Sequence, residues 1–320
     1  MKAAAIKPIA LMLSRELLQS ALLLLGVSVV VFVILYLAPG NPFSAPLEGQ
    51  TAGQATLAGG PEVLSVPQAW YDLYLAWLGK MLRGDFGTSI RTGLPVLATI
   101  GRIGLNTLIL TLGSMVITLL VAVPIALHAA ARGDTNLNRS LTLLAYVVSA
   151  LPVFWFGYIV IYVFIHQFGL FPLISGSATG QKHVWLYFLV PIVVLGIGNG
   201  SLSEVIRTLR EEMSRVLAED YIRTARAKGA SVWKHAFKEG LLIPVSEIIA
   251  AKIPYILGGA VIVEQVFNWP GLGRMAWQAA QDRDFPVIMG IALAAAVFVR
   301  LGSLLQRMVF TAVNPRASKE

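Results

Sequence analysis

Long apolar windows constrain the fold of this 320-residue chain more than any other feature. A helix needs about 20 mostly apolar residues to cross the hydrocarbon core of a bilayer. Six windows meet or approach this length, at residues 17–37, 107–130, 141–168, 184–197, 243–263 and 285–305. The first window is too long for the apolar part of a signal peptide, so we expect an uncleaved first span. The pattern predicts an all-α polytopic membrane protein with six transmembrane helices.

The small share of charged residues supports this class. Charged residues make up 13% of the chain, whereas a soluble domain carries about 25%. The net charge of +8 would suit a nucleic-acid partner, but the cations lie in loops beside the apolar windows, as membrane topology requires. We therefore expect contact with membrane lipid and none with nucleic acid. The absence of cysteine excludes disulfides and thiolate metal sites.

The distribution of Lys and Arg predicts the orientation. With a cytoplasmic N-terminus, sixteen of the 25 Lys and Arg residues lie on the cytoplasmic side and seven lie outside. Positive residues concentrate in cytoplasmic loops, so both termini are predicted to be cytoplasmic. Residues 1–16 then form a cytoplasmic N-terminus and 17–37 the first span. Residues 38–106 form an external loop, and 107–320 the transmembrane core.

An amphipathic helix is predicted inside the external loop, over 70–81. One face carries apolar and aromatic residues: Trp70, Leu73, Tyr74, Trp77, Leu78 and Met81. Asp72 and Lys80 lie away from that face. Such a helix suits the outer membrane–water interface. The alternative is that its apolar face packs against the protein's own spans, and the sequence leaves both open.

A polar segment, 204–244, is predicted to be cytoplasmic. It holds eight Lys or Arg and six acidic residues, with apolar residues at helical spacing. A helix is expected to end at Gly229, where a glycine suits the position after a helix C-terminus. The preceding glycines, Gly196, Gly198 and Gly200, predict a flexible exit from the fourth window. An ordered polar segment between two spans presents a face to a soluble partner, and a solvated connector is the alternative.

A few polar residues lie within or beside the apolar windows, and their positions suggest their roles. Glu247 and Lys252 are predicted to pair loosely or to line the inner mouth of a pathway. Arg300 is expected to extend its charge to the cytoplasmic surface. His128 and His166, near span ends, are interpreted as hydrogen-bonded structural residues, and no metal site is predicted.

Several short motifs, in a fixed order, resemble one family. DYIRTARAKG at 220–229 resembles the EAA loop of the membrane subunits of binding-protein-dependent ABC importers, in the version of the dipeptide, oligopeptide and nickel branch. Five further segments resemble motifs of the same branch: 77–90, 149–155, 267–274, 283–287 and 314–316. By composition alone, the 267–274 segment would be a Pro-Gly turn with Trp269 at the membrane interface.

The resemblance implies a type I ABC importer permease fold and names two sets of residues. The residues implied to couple to an ATPase are Asp220, Tyr221, Arg223, Thr224, Ala225, Arg226, Lys228 and Gly229. A periplasmic signature is implied at Phe267, Trp269, Pro270, Gly271, Gly273 and Arg274. Two departures stand out: the interval between Gly229 and Pro244 is short, and Arg300 occupies a position that is usually apolar in this branch.

The implied function is that of a permease subunit in the bacterial inner membrane. It would form, with a homologous second permease, the path for peptides or similar small polar solutes delivered by a periplasmic binding protein. Two separate subunits would bind ATP and Mg²⁺, because the chain lacks the G-x(4)-GK[ST] phosphate loop and any other catalytic motif. This chain is therefore expected to bind no cofactor and to be no enzyme. The alternatives are import of nickel or another non-peptide solute, and a self-contained channel or secondary transporter.

Overall fold

The computed structural model of the chain describes residues 2–38, 69–133, 135–168 and 184–313, and most of these residues are helical. An isolated bridge pairs Thr88 with Pro95. The helices there are α1 Lys2–Leu37, α2 Trp70–Met81, α3 Val96–Arg132, α4 Asn136–Ala150, α5 Val153–Phe168, α6 Val184–Ile197, α7 Ser201–Leu217, α8 Asp220–Ala227, α9 Val232–Phe237, α10 Ile243–Val266, α11 Leu272–Asp282 and α12 Phe285–Val313. A π-helical turn, Lys238–Leu242, joins α9 to α10.

Three helical segments in these ranges are long and apolar enough to cross a membrane: Glu16–Leu37, Val96–Arg132 and Phe285–Leu304. Two further spans arise if each of two bent helix pairs is counted as one. The pairs are α4 with α5, bent by 103°, and α6 with α7, bent by 55°. A multi-pass architecture is therefore present, whereas the count of six stays a prediction.

The third window does not form one kinked span, as the sequence had suggested. It divides at Leu151-Pro152 into α4 and α5, which meet at 103°. Proline has no amide hydrogen to donate, and it forces the preceding residue out of the helical region. Leu151 accordingly has an extended backbone, with ψ of 134°. Pro152 therefore separates two helices where only a kink had been predicted.

The fourth window coincides with α6, and its exit is packed. Gly196 is buried, and its carbonyl accepts a hydrogen bond from Thr118 Oγ1 of α3 at 2.6 Å. The chain then turns through Asn199 and Gly200, both at positive φ, into α7. The structure thus gives these glycines a role in packing and turning, in place of the flexible exit.

The chain divides into two compact units. Unit 1 comprises Met1–Gly104 and Met275–Arg300, and unit 2 comprises Leu105–Arg274 and Leu301–Glu320. In unit 2, one buried cluster joins α3, α5, α6 and α10, and a second joins α3, α4 and α7.

In unit 1, α2 packs on α1. Phe32 meets Tyr74 edge-on, with ring centroids 5.4 Å apart, and Ser28 Oγ lies 2.8 Å from the Tyr74 hydroxyl. Trp77 adds a second aromatic contact to Phe32. The alternative in which α2 packs against the protein's own spans is therefore confirmed, and its place at the membrane interface stays a prediction.

A buried ion pair joins α1 to α12 in the same unit. Arg300 Nη2 lies 3.1 Å from Glu16 Oε2, and Arg300 Nε donates to Ser20 Oγ at 2.9 Å. The Glu16 side chain is only 5% exposed. The expectation that Arg300 extends to the surface is therefore wrong. A buried carboxylate offers the guanidinium a charged partner inside the protein, which removes the need to reach water.

Candidate functional site

The polar segment is built on a buried apolar cluster beneath α8. Ile222 of α8 is fully buried against Met213 and Val216 of α7 and Ala236 of α9. Leu127 of α3 packs on the same cluster. Burial of such side chains contributes about 1.5–3 kcal/mol each. This cluster fixes α8 to α3, α7 and α9, so α8 is a positioned helix and no free connector.

The outer face of α8 is polar and exposed. Of the eight residues with a predicted coupling role, Asp220, Tyr221, Arg223, Thr224, Arg226, Lys228 and Gly229 are exposed. Ala225 is buried and packs inward beside Ile222. Arg223 Nη1 lies 3.3 Å from Asp220 Oδ1, an exposed pair that contributes little stability. The structure thus brings seven of the eight residues onto one accessible surface, which we call the α8 face.

Helix α8 is bounded by an extended residue at its N-terminal end and by a left-handed glycine at its C-terminal end. The predicted helix up to Gly229 is in fact interrupted at Ala218-Glu219, where Glu219 adopts an extended backbone. At the other end, Gly229 has φ of 67°, the left-handed conformation that a glycine commonly adopts after a helix C-terminus. The Gly229 amide donates to Arg226 O at 3.1 Å, and the Ala230 amide donates to Ala225 O at 2.9 Å. This pair of bonds is the Schellman motif, and it requires a left-handed residue.

Tyr221 links the α8 face to the π-helical turn. Its hydroxyl donates to Glu239 Oε2 at 3.0 Å. Partial burial, followed by this hydrogen bond, raises the pKa of Tyr221 to about 12. The phenol therefore stays protonated at physiological pH, and it can hold Glu239 while its ring remains accessible.

A buried carboxylate organises the second predicted set of residues. Glu264, near the end of α10, is fully buried. Its Oε1 accepts from Thr107 Oγ1 at 2.7 Å, and its Oε2 accepts from the Arg274 amide at 2.8 Å. Thr107 Oγ1 in turn accepts from the Leu272 amide at 2.8 Å. The Glu264 and Thr107 side chains accept hydrogen bonds from amides in the first turn of α11. Amides in the first turn of a helix have no carbonyl partner within the helix itself.

The aromatic residues of the signature face inward. Phe267 and Trp269 are both buried, and Trp269 Nε1 donates to the Asn106 carbonyl at 3.1 Å. Asn106 Nδ2 donates to the Pro270 carbonyl at 2.7 Å, and Arg274 Nη1 to the Asn268 carbonyl at 3.1 Å. The turn was predicted correctly. The placement of Trp269 at the membrane interface is wrong, because its indole fills the core of unit 2.

Position 271 leaves no room for a side chain, because the Glu264 carboxylate lies directly beside it. A Cβ atom at this position would lie within 2.5 Å of both Glu264 carboxylate oxygens. Gly273 is similarly close to Val261. The signature therefore forms a packed junction between α10 and α11.

Replacing Gly271 with alanine is expected to destabilise the protein by about 1–3 kcal/mol, the usual cost of overpacking a buried site. The added methyl group would displace the Glu264 carboxylate from the amides that it satisfies. Gly101→Ala is a matched control, because nothing lies within 4 Å of the added Cβ in α3. Thermal unfolding in detergent measures both, and equal midpoints for the two variants would contradict the packed junction.

Two other motifs meet in unit 1. Asp284 is buried and accepts hydrogen bonds from Ser89 Oγ and from the Ile90 and Arg91 amides. Arg91 also pairs with Asp282 at 2.7 Å. The segment 77–90 and the segment 283–287 are therefore held together by one carboxylate.

The pairing of Glu247 with Lys252 and their place at the mouth of a pathway stay predictions, because the structure describes only one of the two side chains. Glu247 is exposed on α10, and the side chain of Lys252 lies outside the described part of the structure, as does the 314–316 motif. His128 Nδ1 lies 2.6 Å from Asn138 Oδ1, which confirms its structural role. His166 contacts the ring of Tyr162. Within the described ranges, no three His, Asp or Glu side chains are grouped to hold a metal ion.

Sequence reasoning missed the residues that organise these junctions: Ser89, Asn106, Thr107, Glu264 and Asp284. Local patterns assign no role to Glu264, which precedes the 267–274 motif, or to Asp284, which lies within the 283–287 motif. An acidic residue directly beside an apolar window, next to a Gly-containing turn, was the available signal. The side chains that donate to these carboxylates, Thr107 to Glu264 and Ser89 to Asp284, lie more than 150 residues away in sequence, and no local pattern reveals them.

Comparisons with known proteins agree with this architecture. Residues 122–319 match the family described as binding-protein-dependent transport system inner membrane component. The oligopeptide transport system permease protein AppB of Bacillus subtilis is 37% identical over 311 residues, covering 94% of this chain and 97% of that protein. The dipeptide transport system permease protein DppB of Alkalihalophilus pseudofirmus is 30% identical over 327 residues, with the same shares covered.

The glutathione transport system permease protein GsiC of Salmonella typhimurium is 32% identical over 295 residues, covering 91% of this chain and 94% of that protein. These similarities extend over nearly the whole chain, and the family model covers more than half of it. The chain therefore belongs to the family of inner-membrane components of binding-protein-dependent transport systems, and it is a multi-pass membrane permease.

Proposed function

We propose that this permease is one of two homologous membrane subunits of an ABC importer for short peptides. Two separate ATPase subunits dock at the α8 face, and a periplasmic binding protein delivers the solute on the opposite side. The chain crosses the membrane six times, with both termini in the cytoplasm and with the spans in α1, α3, α5, α6, α10 and α12. The observation that carries the proposal is α8 itself, a short helix with a buried underside and a polar exposed face.

The packing beneath α8 supports a mechanical role. Ile222 and Ala225 of α8 are buried, and Ile222 shares a buried cluster with Met213 of α7. α7 continues into the cluster that α3 and α4 share. Packed helices transmit displacement because protein interiors are close to incompressible. A force applied at the α8 face would therefore reach α3, α4 and α7 directly.

The peptide assignment is supported by the relatives, whose names specify oligopeptide, dipeptide and glutathione transport. Since these solutes differ in size but share peptide bonds, short peptides are the common class. Import of nickel or another non-peptide solute is the alternative within the same family.

Reconstitution tests the proposal. Vesicles containing this chain, the second permease and both ATPases are expected to accumulate a radiolabelled di- or tripeptide only when ATP and the binding protein are present. Omitting the ATPases should abolish accumulation. Uptake that persists without them would indicate a self-contained transporter, and uptake of ⁶³Ni²⁺ but of no peptide would indicate the alternative substrate.

Single-cysteine labelling tests the proposed orientation, since the chain has no cysteine of its own. Thr92→Cys and Lys228→Cys are suitable because both positions are exposed, whereas Gly271 has no room for a side chain. In intact cells, an impermeant maleimide is expected to label position 92 at once and position 228 only after permeabilisation. Labelling of position 228 in intact cells, and of position 92 only after permeabilisation, would show that the topology is the inverse of the one proposed.

A further inference from the structure

Helix α5 has two chemically different faces. Its inner face packs into the core of unit 2 through Val153, Val160, Ile161 and Phe164, at helical spacing. Gly157 lies on the same face, where an added Cβ would approach Val266 to 3.0 Å. The orientation of α5 is therefore fixed by α6 and α10, and the opposite face is directed away from the core.

That opposite face is a stripe of exposed aromatic and hydrogen-bonding side chains, here called the α5 stripe: Phe154, Trp155, Tyr158, Tyr162 and His166. Tyr158 and Tyr162 are 58% and 63% exposed. The Tyr162 and His166 rings lie 4.2 Å apart. Spacing by four residues keeps these side chains on one side of the helix.

Helix α3 provides a contrast within the same unit. Between Leu105 and Leu120, its exposed residues recur at helical spacing and are all aliphatic: Leu105, Ile109, Leu112, Val116 and Leu120. Val116 and Leu120 are 55% and 65% exposed, which matches the two tyrosines closely. The two helices thus show similar exposure with opposite chemistry. The α3 face is suited to acyl chains.

Length argues against an interfacial role for the whole α5 stripe. From Phe154 to His166 the helix rises about 18 Å at 1.5 Å per residue. Helix α5 is one of the six proposed spans. Each polar interface of a bilayer is only about 5–8 Å thick, so along such a span the stripe extends well into the hydrocarbon core. Hydroxyl, imidazole and indole groups facing acyl chains there would lose their hydrogen bonds to water. A face of this kind is stable when it meets water or a polar partner.

We propose that the α5 stripe lines the aqueous path of the importer and contacts the transported peptide. The assignment rests on the proposed function. Aromatic rings offer apolar surface to peptide side chains, while the Tyr hydroxyls and the imidazole exchange hydrogen bonds with peptide N–H and C=O groups. Residues 153–168 contain no Asp, Glu, Lys or Arg, so the contacts do not select a particular charge. Contacts of this kind let a solute leave as readily as it enters.

Cysteine accessibility in the complete transporter tests this inference. Tyr158→Cys and Tyr162→Cys are compared with the controls Val116→Cys and Leu120→Cys, which match them in exposure. Each is assembled with the second permease and the ATPases in lipid nanodiscs. A positively charged methanethiosulfonate reagent is added, and modification is read on this chain after gel separation. Phe154→Cys extends the series if a tyrosine variant does not assemble.

Both stripe positions are expected to react about tenfold faster than the controls or more, because a thiol facing acyl chains has a raised pKa and contains little thiolate. A saturating tripeptide, with its binding protein and ATP, should slow the reaction at the stripe and leave the controls unchanged. Reaction as slow as at position 116 would overturn the inference and place α5 against lipid or the second permease. Fast reaction without peptide protection would overturn the peptide contact.

These results are separable from the proposed function. Thiol modification is measured in complexes that show ATP-dependent peptide uptake. Slow modification of the α5 stripe in such an active complex would refute only the inference that the stripe lines the path. Absence of ATP-dependent uptake by the unmodified complex would instead refute the proposed function.

Discussion

Arg300→Ala is expected to destabilise the protein by about 3–5 kcal/mol, the usual cost of leaving a buried charge without its partner. The guanidinium contacts the Glu16 carboxylate and also donates to Ser20 Oγ and the Glu16 carbonyl. These contacts join α1 to α12. Removing them should loosen α1, whose exposed residues between Glu16 and Leu37 are largely aliphatic and offer few other polar contacts.

A paired variant separates the charge from the packing. Glu16→Leu combined with Arg300→Leu replaces a buried ion pair by apolar side chains, a change that is often close to neutral. We therefore expect the double variant to regain most of the stability that Arg300→Ala loses. Thermal unfolding of the permease in detergent gives the midpoints, and proteolysis at the N-terminal end reports release of α1. A midpoint for Arg300→Ala equal to that of the unmodified chain would show that the pair contributes nothing measurable.

Local sequence patterns predicted the helices whose limits are set locally. The aromatic periodicity of 70–81 and the apolar run of 184–197 coincide with α2 and α6. The left-handed conformation of Gly229 was also predictable, because a glycine after a helix commonly adopts it. The effect of proline was less predictable. Pro152 separates two helices where a kink was expected, whereas Pro124 and Pro191 lie inside continuous helices. The neighbouring packing decides between these outcomes, and a single sequence does not display it.

The candidate site was predictable in its position but only partly in its chemistry. The residues of the α8 face were identified from one continuous motif. The burial of Ala225 depends on the tertiary packing beneath α8, which the motif alone does not display. The pairing of Glu16 with Arg300, of Thr107 with Glu264 and of Ser89 with Asp284 joins residues far apart in sequence. Such contacts depend on which helices the fold brings together, so they lie beyond pattern reasoning.

Gly229→Asp is expected to weaken coupling to the ATPases strongly while membrane insertion stays normal. Position 229 ends α8 at φ of 67°, and nothing lies within 4 Å of an added Cβ. Inside this chain the substitution therefore causes backbone strain but no clash. Asn and Asp adopt the left-handed conformation more readily than other non-glycine residues, which limits that strain. The main effect should arise at the docking surface.

The charge of the α8 face supplies the reason. Arg223, Arg226 and Lys228 are exposed there with Asp220 as the acidic residue, so a complementary ATPase surface is expected to be acidic. A carboxylate at position 229 would then face like charge. We expect ATPase association and uptake to fall about tenfold or more, equivalent to about 1.4 kcal/mol.

Gly229→Asn is the matched control, because asparagine has nearly the same shape and backbone preference as aspartate but no charge. It is expected to retain ATPase co-purification and peptide uptake within about twofold, the effect of a few tenths of a kcal/mol. If Asn and Asp were equally impaired, the left-handed turn rather than the charge would control docking. If neither changed either measurement, the segment would be a solvated connector. Loss of uptake with full association would instead show that α8 binds the ATPase but no longer moves the helices packed beneath it.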